Sequence, residues 1–162
     1  MRRGCTSFVL AVFLGLGLPA HAYEKPVVII DFIVDPIILQ WFQAESELRS
    51  GIEDIVQRAS LIFHSDIGHR LTVGTIEMGI PPYAREVVPV NAWRVWMEEK
   101  ARKKYRDTDF LRFRFFILLA GRPVFDELSA SYPGGIGVIN DRISIILYSS
   151  DHQFTASRLL HE

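Results

Sequence analysis

The strongest constraint on the fold is the stretch Val27–Val34, a run dense in β-branched and other apolar side chains. A run of this length and composition is typical of a strand that is buried on both faces. Such a strand lies in the interior of a sheet and needs further strands beside it and helices over it. The sequence therefore predicts a layered α/β domain with this stretch as a central strand.

The next segment has a helical pattern. Asp35-Pro36 marks its start, because proline is favoured at the first helical position. We expect one helical stretch over residues 37–63, bent or interrupted at Gly51, where glycine costs about 1 kcal/mol relative to alanine. Its apolar positions recur at the spacing of one helical face: Leu48, Ile52, Ile55, Val56, Ala59 and Ile62.

A strand and a second helix follow. Residues 71–80 show the alternation of a strand. The alternation shifts by one residue beside Gly74, which predicts a β-bulge there. Asn91 is expected to cap a helix that runs to Tyr105, with apolar positions on one side. The charged run over residues 98–104 is interpreted as the solvated side of that helix, because its acids precede its bases in the order that favours i,i+4 pairs.

The last third predicts three more strands and a final helix. The strands are expected at 113–120, 136–139 and 143–148, with a looser segment at 124–132. The stretch from Ser150 to Gln153 fits a capping box that opens the helix. The order is β-α-β-α-β-β-β-α, which indicates an α/β (α+β layered) domain with a mixed sheet.

The N-terminus has the three parts of a secretory signal. A short basic segment is followed by an apolar run over residues 8–18 and by Ala20-His21-Ala22, a small-x-small cleavage site. We expect residues 1–22 to be removed and residues 23–162 to form one secreted domain, extracellular or periplasmic and not held in a membrane.

Composition excludes some functions for that domain. Of the 162 residues, 49% are hydrophobic and 23% charged, so the chain has enough apolar surface for a packed core. Removal of residues 1–22 takes away two arginines and leaves 16 bases against 19 acids, a formal charge of −3, so there is no basic field for nucleic acid. Cys5, the single cysteine, lies within the signal, so the secreted part is expected to contain no disulfide.

The chain closes on a short amphipathic helical pattern, residues 154–162, whose last two residues are His161 and Glu162. In the H-E-x-x-H zinc motif, two histidines four residues apart share a helix face and the glutamate acts as general base. Only the first half of that motif is present. The alternative interpretation is a solvated helix end, although an acidic residue is unfavourable at a helix C-terminus.

The order of elements resembles the N-terminal subdomain of the metzincin zinc endopeptidases, in particular the adamalysin or reprolysin-like branch. Two segments resemble that family more closely: residues 134–138, similar to its glycine-bearing edge strand, and residues 156–162, similar to the run into its zinc helix. The resemblance implies a mixed, mostly parallel five-stranded sheet with an antiparallel edge strand and about three helices.

The resemblance also implies a function, that of a secreted zinc-dependent metalloendopeptidase. His161 would be the first zinc ligand, and Glu162 would be the general base that takes a proton from zinc-bound water. A peptide or protein substrate would add a strand along the edge strand. The residues implied there are Ile136, Gly137, Val138 and Ile139.

The sequence lacks two features of that family, the further zinc ligands and the cysteines of the edge region. A second zinc ligand would fall four residues after His161, beyond Glu162, and a catalytic zinc uses three protein ligands. Cysteines that brace the edge region in the reprolysin-like branch are missing. Residues 23–162 would thus be the N-terminal part of a metalloprotease-like catalytic domain, and we expect this chain alone to be inactive.

The positions of the other histidines in the sequence do not favour them as further zinc ligands beside His161. His152 lies nine positions before His161, which places it on the opposite helix face. His64 and His69, with Asp66 between them, fall where a helix gives way to a strand, so cap or loop roles are favoured. Two other hypotheses therefore stay open: a non-catalytic secreted α/β binding module, and an inactive protease relative that binds peptides on its edge strand.

Overall fold

The computed structural model describes residues 26–80, 84–104, 114–138 and 142–161, with the side chains of Val138 and His161 left out. The predicted signal at residues 1–22 lies outside these ranges, as do Ile139 and Glu162.

A five-stranded sheet forms the centre of the domain. Its strands stand in the order β2-β1-β4-β7-β6, and all neighbours are parallel except β6, which pairs antiparallel with β7 at the edge. This confirms the predicted mixed, mostly parallel sheet with an antiparallel edge strand. The strands are β1 (Val27–Val34), β2 (Arg70–Met78), β4 (Arg114–Ala120), β6 (Gly135–Val138) and β7 (Ile143–Leu147).

A second, two-stranded sheet was not predicted. It consists of β3 (Val88–Pro89) and β5 (Val124–Phe125), which pair in parallel. The segment over residues 124–132 was expected to be loose, because two-residue strands are too short to show an alternating pattern.

The described residues also form three α-helices and one short 3₁₀ helix: α1 (Glu45–Ile67), α2 (Val90–Lys104), α3 (His152–His161) and the 3₁₀ helix Pro36–Trp41. Asp35 begins the 3₁₀ helix as predicted, and its carboxylate accepts the N–H of Ile37 at 3.1 Å. None of the helices in the described part of the chain has the length and apolarity to cross a membrane.

The interruption predicted at Gly51 occurs earlier in the chain. Residues 42–44 leave the helical conformation between the 3₁₀ helix and α1, whereas α1 passes through Gly51 without a break. Gly51 is buried, and a Cβ there would lie 3.4 Å from ring carbons of both Phe42 and His152. At that distance a Cβ would be in ordinary van der Waals contact with both rings, so α1 packs against them at Gly51.

The two faces of the sheet are covered by different helices. Helices α1 and α3 pack together on one face, over the even-numbered side chains of β1, and α2 covers the other. The helical face predicted from the sequence is buried at five of its six positions, Ile62 being 37% exposed. The side of α2 that meets the sheet buries Trp93 and Met97 completely.

The charged run of α2 is mostly the solvated surface that the sequence predicts. Glu98 and Glu99 pair with bases one turn away on the exposed side of the helix. Asn91 lies inside the helix, so its predicted capping role is wrong, and Tyr105 is outside the described residues. Lys104 departs from the solvated pattern, because its ammonium donates to Thr75 Oγ1 at 2.5 Å and to the Glu77 carboxylate.

Asp31 places a carboxylate inside the sheet, on the face that α2 covers. Its side chain is fully buried, although it lies in the middle of the most apolar strand. Arg114 on β4 donates to Asp31 Oδ2 at 2.7 Å, and on β2 the backbone N–H and hydroxyl of Thr75 donate to Oδ1 at 2.6 and 2.9 Å. The carboxylate is thus bonded to both neighbouring strands.

These bonds coincide with the predicted bulge in β2. Ile30 lies opposite Val73 and Phe32 opposite Ile76, so two residues of β2 stand opposite Asp31 alone. The first of the two is Gly74, where an added Cβ would overlap the Asp31 carboxylate. Asp31 therefore satisfies a backbone N–H that the bulge removes from the ladder, and glycine supplies the space for it.

Asp31→Ala should destabilise the protein by about 3 kcal/mol, because it leaves the Arg114 guanidinium and the Thr75 N–H without their buried acceptor. Asp31→Asn should cost less, since an amide oxygen can still accept from Thr75. Urea unfolding of both variants measures the difference. The matched control is Lys103→Ala, which removes an exposed pair with Glu99 and should give no measurable change. An Asp31→Ala protein as stable as the wild type would contradict this account of the sheet.

Candidate functional site

Helix α3 carries the predicted zinc ligand at its end. It begins at His152, and Asp151 caps it by accepting the N–H groups of Gln153 and Phe154 at 3.0 and 3.2 Å. The predicted capping box from Ser150 is therefore wrong, because the acceptor is one residue later. His161 is the last residue of the helix, its side chain being outside the description, and Glu162 lies beyond the described residues.

The predicted substrate-binding residues lie on β6, the antiparallel edge strand. Ile136 and Gly137 stand opposite Ile145 and Ser144 of β7, and Val138 ends the strand; Ile139 is outside the described ranges. Ile136 packs half-buried against the core beneath α2. Within the described part of the chain, no strand pairs with the outer side of β6.

The ladder between β6 and β7 determines which backbone groups face that outer side. The Leu147 N–H donates to the Gly134 carbonyl at 2.8 Å, so these two residues form a hydrogen-bonded pair. Bonded and non-bonded pairs alternate along an antiparallel ladder. Gly135 and Gly137 therefore direct their N–H and C=O groups away from β7. Both residues that face the open edge lack a side chain.

Arg158 joins α3 to the start of this edge strand. Its guanidinium donates to the Gly134 carbonyl at 2.5 Å and lies 4.2 Å from the centre of the Phe154 ring. An added Cβ at Gly134 would overlap the guanidinium. Glycine at this position thus allows the terminal helix and the edge strand to be fixed to each other.

The other end of α3 is fixed to α1 by His152. Its Nδ1 lies 2.7 Å from Asp54 Oδ2, and its Nε2 lies 3.3 Å from the Tyr148 hydroxyl. The Asp54 carboxylate also accepts from Arg58 at 2.8 Å. His152 therefore forms part of a polar chain that runs from α1 to the residue after β7.

The two ends of this chain have shifted acidities. Hydrogen bonds from Arg58 and then from His152 hold the pKa of the Asp54 carboxyl below its ordinary value of 3.8. Burial raises the pKa of the Tyr148 hydroxyl. At neutral pH Asp54 is therefore a carboxylate and Tyr148 a neutral phenol, which suits an arrangement that orients the imidazole rather than one that ionises the tyrosine.

His64, His69 and Asp126 take part in local structural contacts. His64 lies in the last turn of α1, where its carbonyl accepts the N–H of Gly68, and the His69 ring packs edge-on against Phe63. Asp126 holds a turn by accepting the Leu128 N–H and the Ser129 hydroxyl. Among the described side chains, no three of the His, Cys, Asp or Glu type are grouped so that they could hold a metal ion.

The sequence singled out His161 and the edge strand, but not Arg158, Asp54 or Tyr148. Arg158 is a lone base on a short helix, and Asp54 belongs to an ordinary i,i+4 pair with Arg58. The sequence gives little indication of these contacts, because Gly134 lies 24 positions from Arg158 and His152 lies 98 positions from Asp54. Only the packing of α3 against α1 and β6 brings them together.

No protein-family model and no curated protein sequence matches this chain. Solved structures do share its fold. One, described as "Structure of a chaperone-substrate complex", superposes with a TM-score of 0.57 at 10% sequence identity, over 84% of this chain and 25% of that chain. The present chain therefore spans about a quarter of that chain's length. At this identity the similarity shows the fold alone.

The lowered pKa of Asp54 predicts a pH-dependent contribution to stability. A carboxyl whose pKa is lower in the folded state stabilises the fold above its ordinary pKa, and this contribution is lost as pH falls through the folded value. The melting temperature of Asp54→Asn should therefore be lower than that of the wild type at neutral pH, and this difference should disappear at pH values below 3.8. Thermal melts across this range measure it. Glu53→Gln, on an exposed neighbour in α1, is the control; a gap between wild type and Asp54→Asn that is the same at every pH would contradict the prediction.

Proposed function

We propose that this chain is the substrate-binding, N-terminal part of a secreted zinc metalloendopeptidase, and that it binds an extended peptide along β6. The observation that carries the proposal is the pair of outward-facing glycines in an antiparallel edge strand that is fixed to the helix ending in His161. Gly135 and Gly137 offer two N–H donors and two carbonyl acceptors to a partner strand. No side chain on these residues obstructs its approach.

Strand addition suits this edge for a physical reason. Main-chain hydrogen bonds supply affinity for any extended peptide, and side-chain pockets beside the edge supply specificity. Open edges are otherwise a hazard, since they pair with other chains, and many proteins protect them with charges or prolines. The β6 strand, Gly135-Ile136-Gly137-Val138, contains neither.

Zinc enters the proposal through His161 and Glu162. When bound, zinc would supply an acidified water for attack on a peptide carbonyl. The described side chains do not make up a zinc site on their own, because a catalytic zinc needs three protein ligands and no such group is found among them. The proposal therefore assigns this chain the peptide-binding strand, a first ligand in His161 and a general base in Glu162, within a longer enzyme.

A peptide or protein partner without catalysis is the second candidate. The same sheet would then serve a non-catalytic binding module or an inactive relative that holds peptides on β6. A structure of this fold occurs in a complex of a chaperone and its substrate, which is compatible with a protein partner for the fold. Both candidates share the edge strand and differ in whether zinc ligands follow Glu162.

Gly137→Pro should weaken peptide binding by about tenfold or more, because it removes one outward N–H and adds bulk at the edge. Gly137 does not bond to β7 through its own N–H, and proline is tolerated at outward-facing edge positions, so the fold should persist. Carboxymethylated lactalbumin, which stays unfolded, is the probe, and fluorescence anisotropy of its labelled form measures affinity.

Gly137→Ala is the matched control, since it retains the N–H and should bind the probe nearly as the wild type does. In NMR spectra of the wild type, the amide signals of Gly135 and Gly137 should shift on addition of the probe. Equal affinity of the proline and alanine variants would refute binding along β6.

The codons that follow Glu162 in the transcript separate the two candidates. The endopeptidase proposal requires two residues and then a histidine, followed by a glycine and a further histidine. A stop codon or a different sequence there would refute the endopeptidase proposal, and peptide binding on β6 would then be the function of a non-catalytic module.

A further inference from the structure

A second surface lies at the carboxyl end of the sheet, apart from β6. Trp41 ends the 3₁₀ helix that follows β1, and Tyr148 is the first residue after β7. In open α/β sheets, ligands bind outside the carboxyl ends of the strands. The space here is a groove of about 560 Å³, which we call the aromatic groove; its walls include Trp41, Phe42, Tyr148, Glu47, Asp54 and His152.

Three aromatic rings form one side of the aromatic groove. The ring centroids of Trp41 and Tyr148 are 5.5 Å apart with planes inclined by 23°, and Phe42 lies 5.9 Å from Tyr148. Tyr148 is buried, whereas Trp41 is 53% exposed. The indole is therefore held in place by stacking while much of its surface remains open to solvent.

The other side of the aromatic groove is acidic. Glu47 and Asp54 lie one above the other in the first half of α1, and no lysine or arginine is among the described residues that line the groove. Arg58 and His152 both contact the Asp54 carboxylate, so its charge is partly compensated. The Glu47 carboxylate accepts the N–H of Gln43 at 2.8 Å, a neutral donor that brings no compensating charge.

We propose that the aromatic groove binds a small organic cation that carries an ammonium group. The negative face of an aromatic ring attracts a cation placed over it, most strongly for tryptophan, and an adjacent carboxylate adds to that attraction. An exposed indole stacked on a tyrosine, in a groove that Glu47 also lines, provides both. The site does not depend on peptide binding at β6, since it uses other residues at another part of the sheet.

The polar chain along the groove, from Asp54 through His152 to Tyr148, fixes its shape. Tyr148 is held between Trp41 and His152, and His152 is held by Asp54. Gly51 also lines the groove, and the rings of Phe42 and His152 lie within van der Waals distance of a Cβ placed there. The rings are thus positioned before a ligand arrives, which reduces the ordering that binding requires.

The test compares choline with 3,3-dimethylbutan-1-ol (dimethylbutanol below), a neutral molecule of the same shape in which carbon replaces the charged nitrogen. Binding to the full chain is followed by the indole N–H signals of the three tryptophans in NMR spectra. Choline should shift the Trp41 signal with a Kd on the order of 1–10 mM, and dimethylbutanol should bind at least about tenfold more weakly. Trp93 is fully buried and serves as the internal reference.

Two variants separate the contributions of ring and charge. Trp41→Leu keeps an apolar side chain and should weaken choline binding about tenfold. Calorimetry measures binding to this variant, because the indole that reports binding in NMR spectra is lost. Glu47→Gln keeps the shape of the side chain and the acceptor for the Gln43 N–H, and it should weaken choline binding several-fold. The affinity of the wild type for choline should also fall as salt is added, because salt screens the attraction between charges. Equal binding of choline and dimethylbutanol, absence of any Trp41 shift, or an unchanged affinity in Glu47→Gln would each overturn the proposal.

Discussion

The buried carboxylate of Asp31 is the interaction on which the sheet depends. An ion removed from water costs several kcal/mol unless partners surround it, and these partners come from both neighbouring strands. Arg114 reaches it from β4, and Thr75 reaches it from the bulge in β2. β1 can therefore occupy the middle of the sheet only when β2 and β4 are both in register, so that one charge specifies the alignment of three strands.

The polar groups around Asp31 lie along the middle of the sheet. They extend from Arg114, the first residue of β4, to Glu77 near the carboxyl end of β2, which Lys104 contacts from the end of α2. These groups bond to one another. Beyond the carboxyl ends of the strands, His152 and Asp54 line the aromatic groove instead. The charge that aligns the strands is therefore separate from both surfaces for which we propose ligands.

Much of this fold could be predicted from local patterns, and what could not depends on partners distant in the chain. The β-branched run of β1, the helical spacing in α1 and the slip beside Gly74 each predicted an element that the structure contains. The break at residues 42–44 was misplaced to Gly51 because glycine is a helix-breaking signal, whereas here Gly51 lies inside a continuous helix that packs against other elements. The roles of Asp31 and His152 were not foreseen, since their partners are 44 and 98 positions away. For the candidate site, the sequence predicted the edge strand but not the arginine that joins it to the helix.

Helix α3 connects the two surfaces, because it is anchored at both ends to different parts of the molecule. His152 holds its first turn to α1, and Arg158 holds its second half to the start of β6. These anchors are six residues apart, about 9 Å along a helix axis. A ten-residue helix is stiff over that distance, so a shift at one anchor must move or break the other. A ligand that tightens the contacts of His152 in the aromatic groove would therefore also restrain Gly134 and the strand that follows it. The edge strand is therefore held by its pairing with β7 and by one short helix that packs against α1.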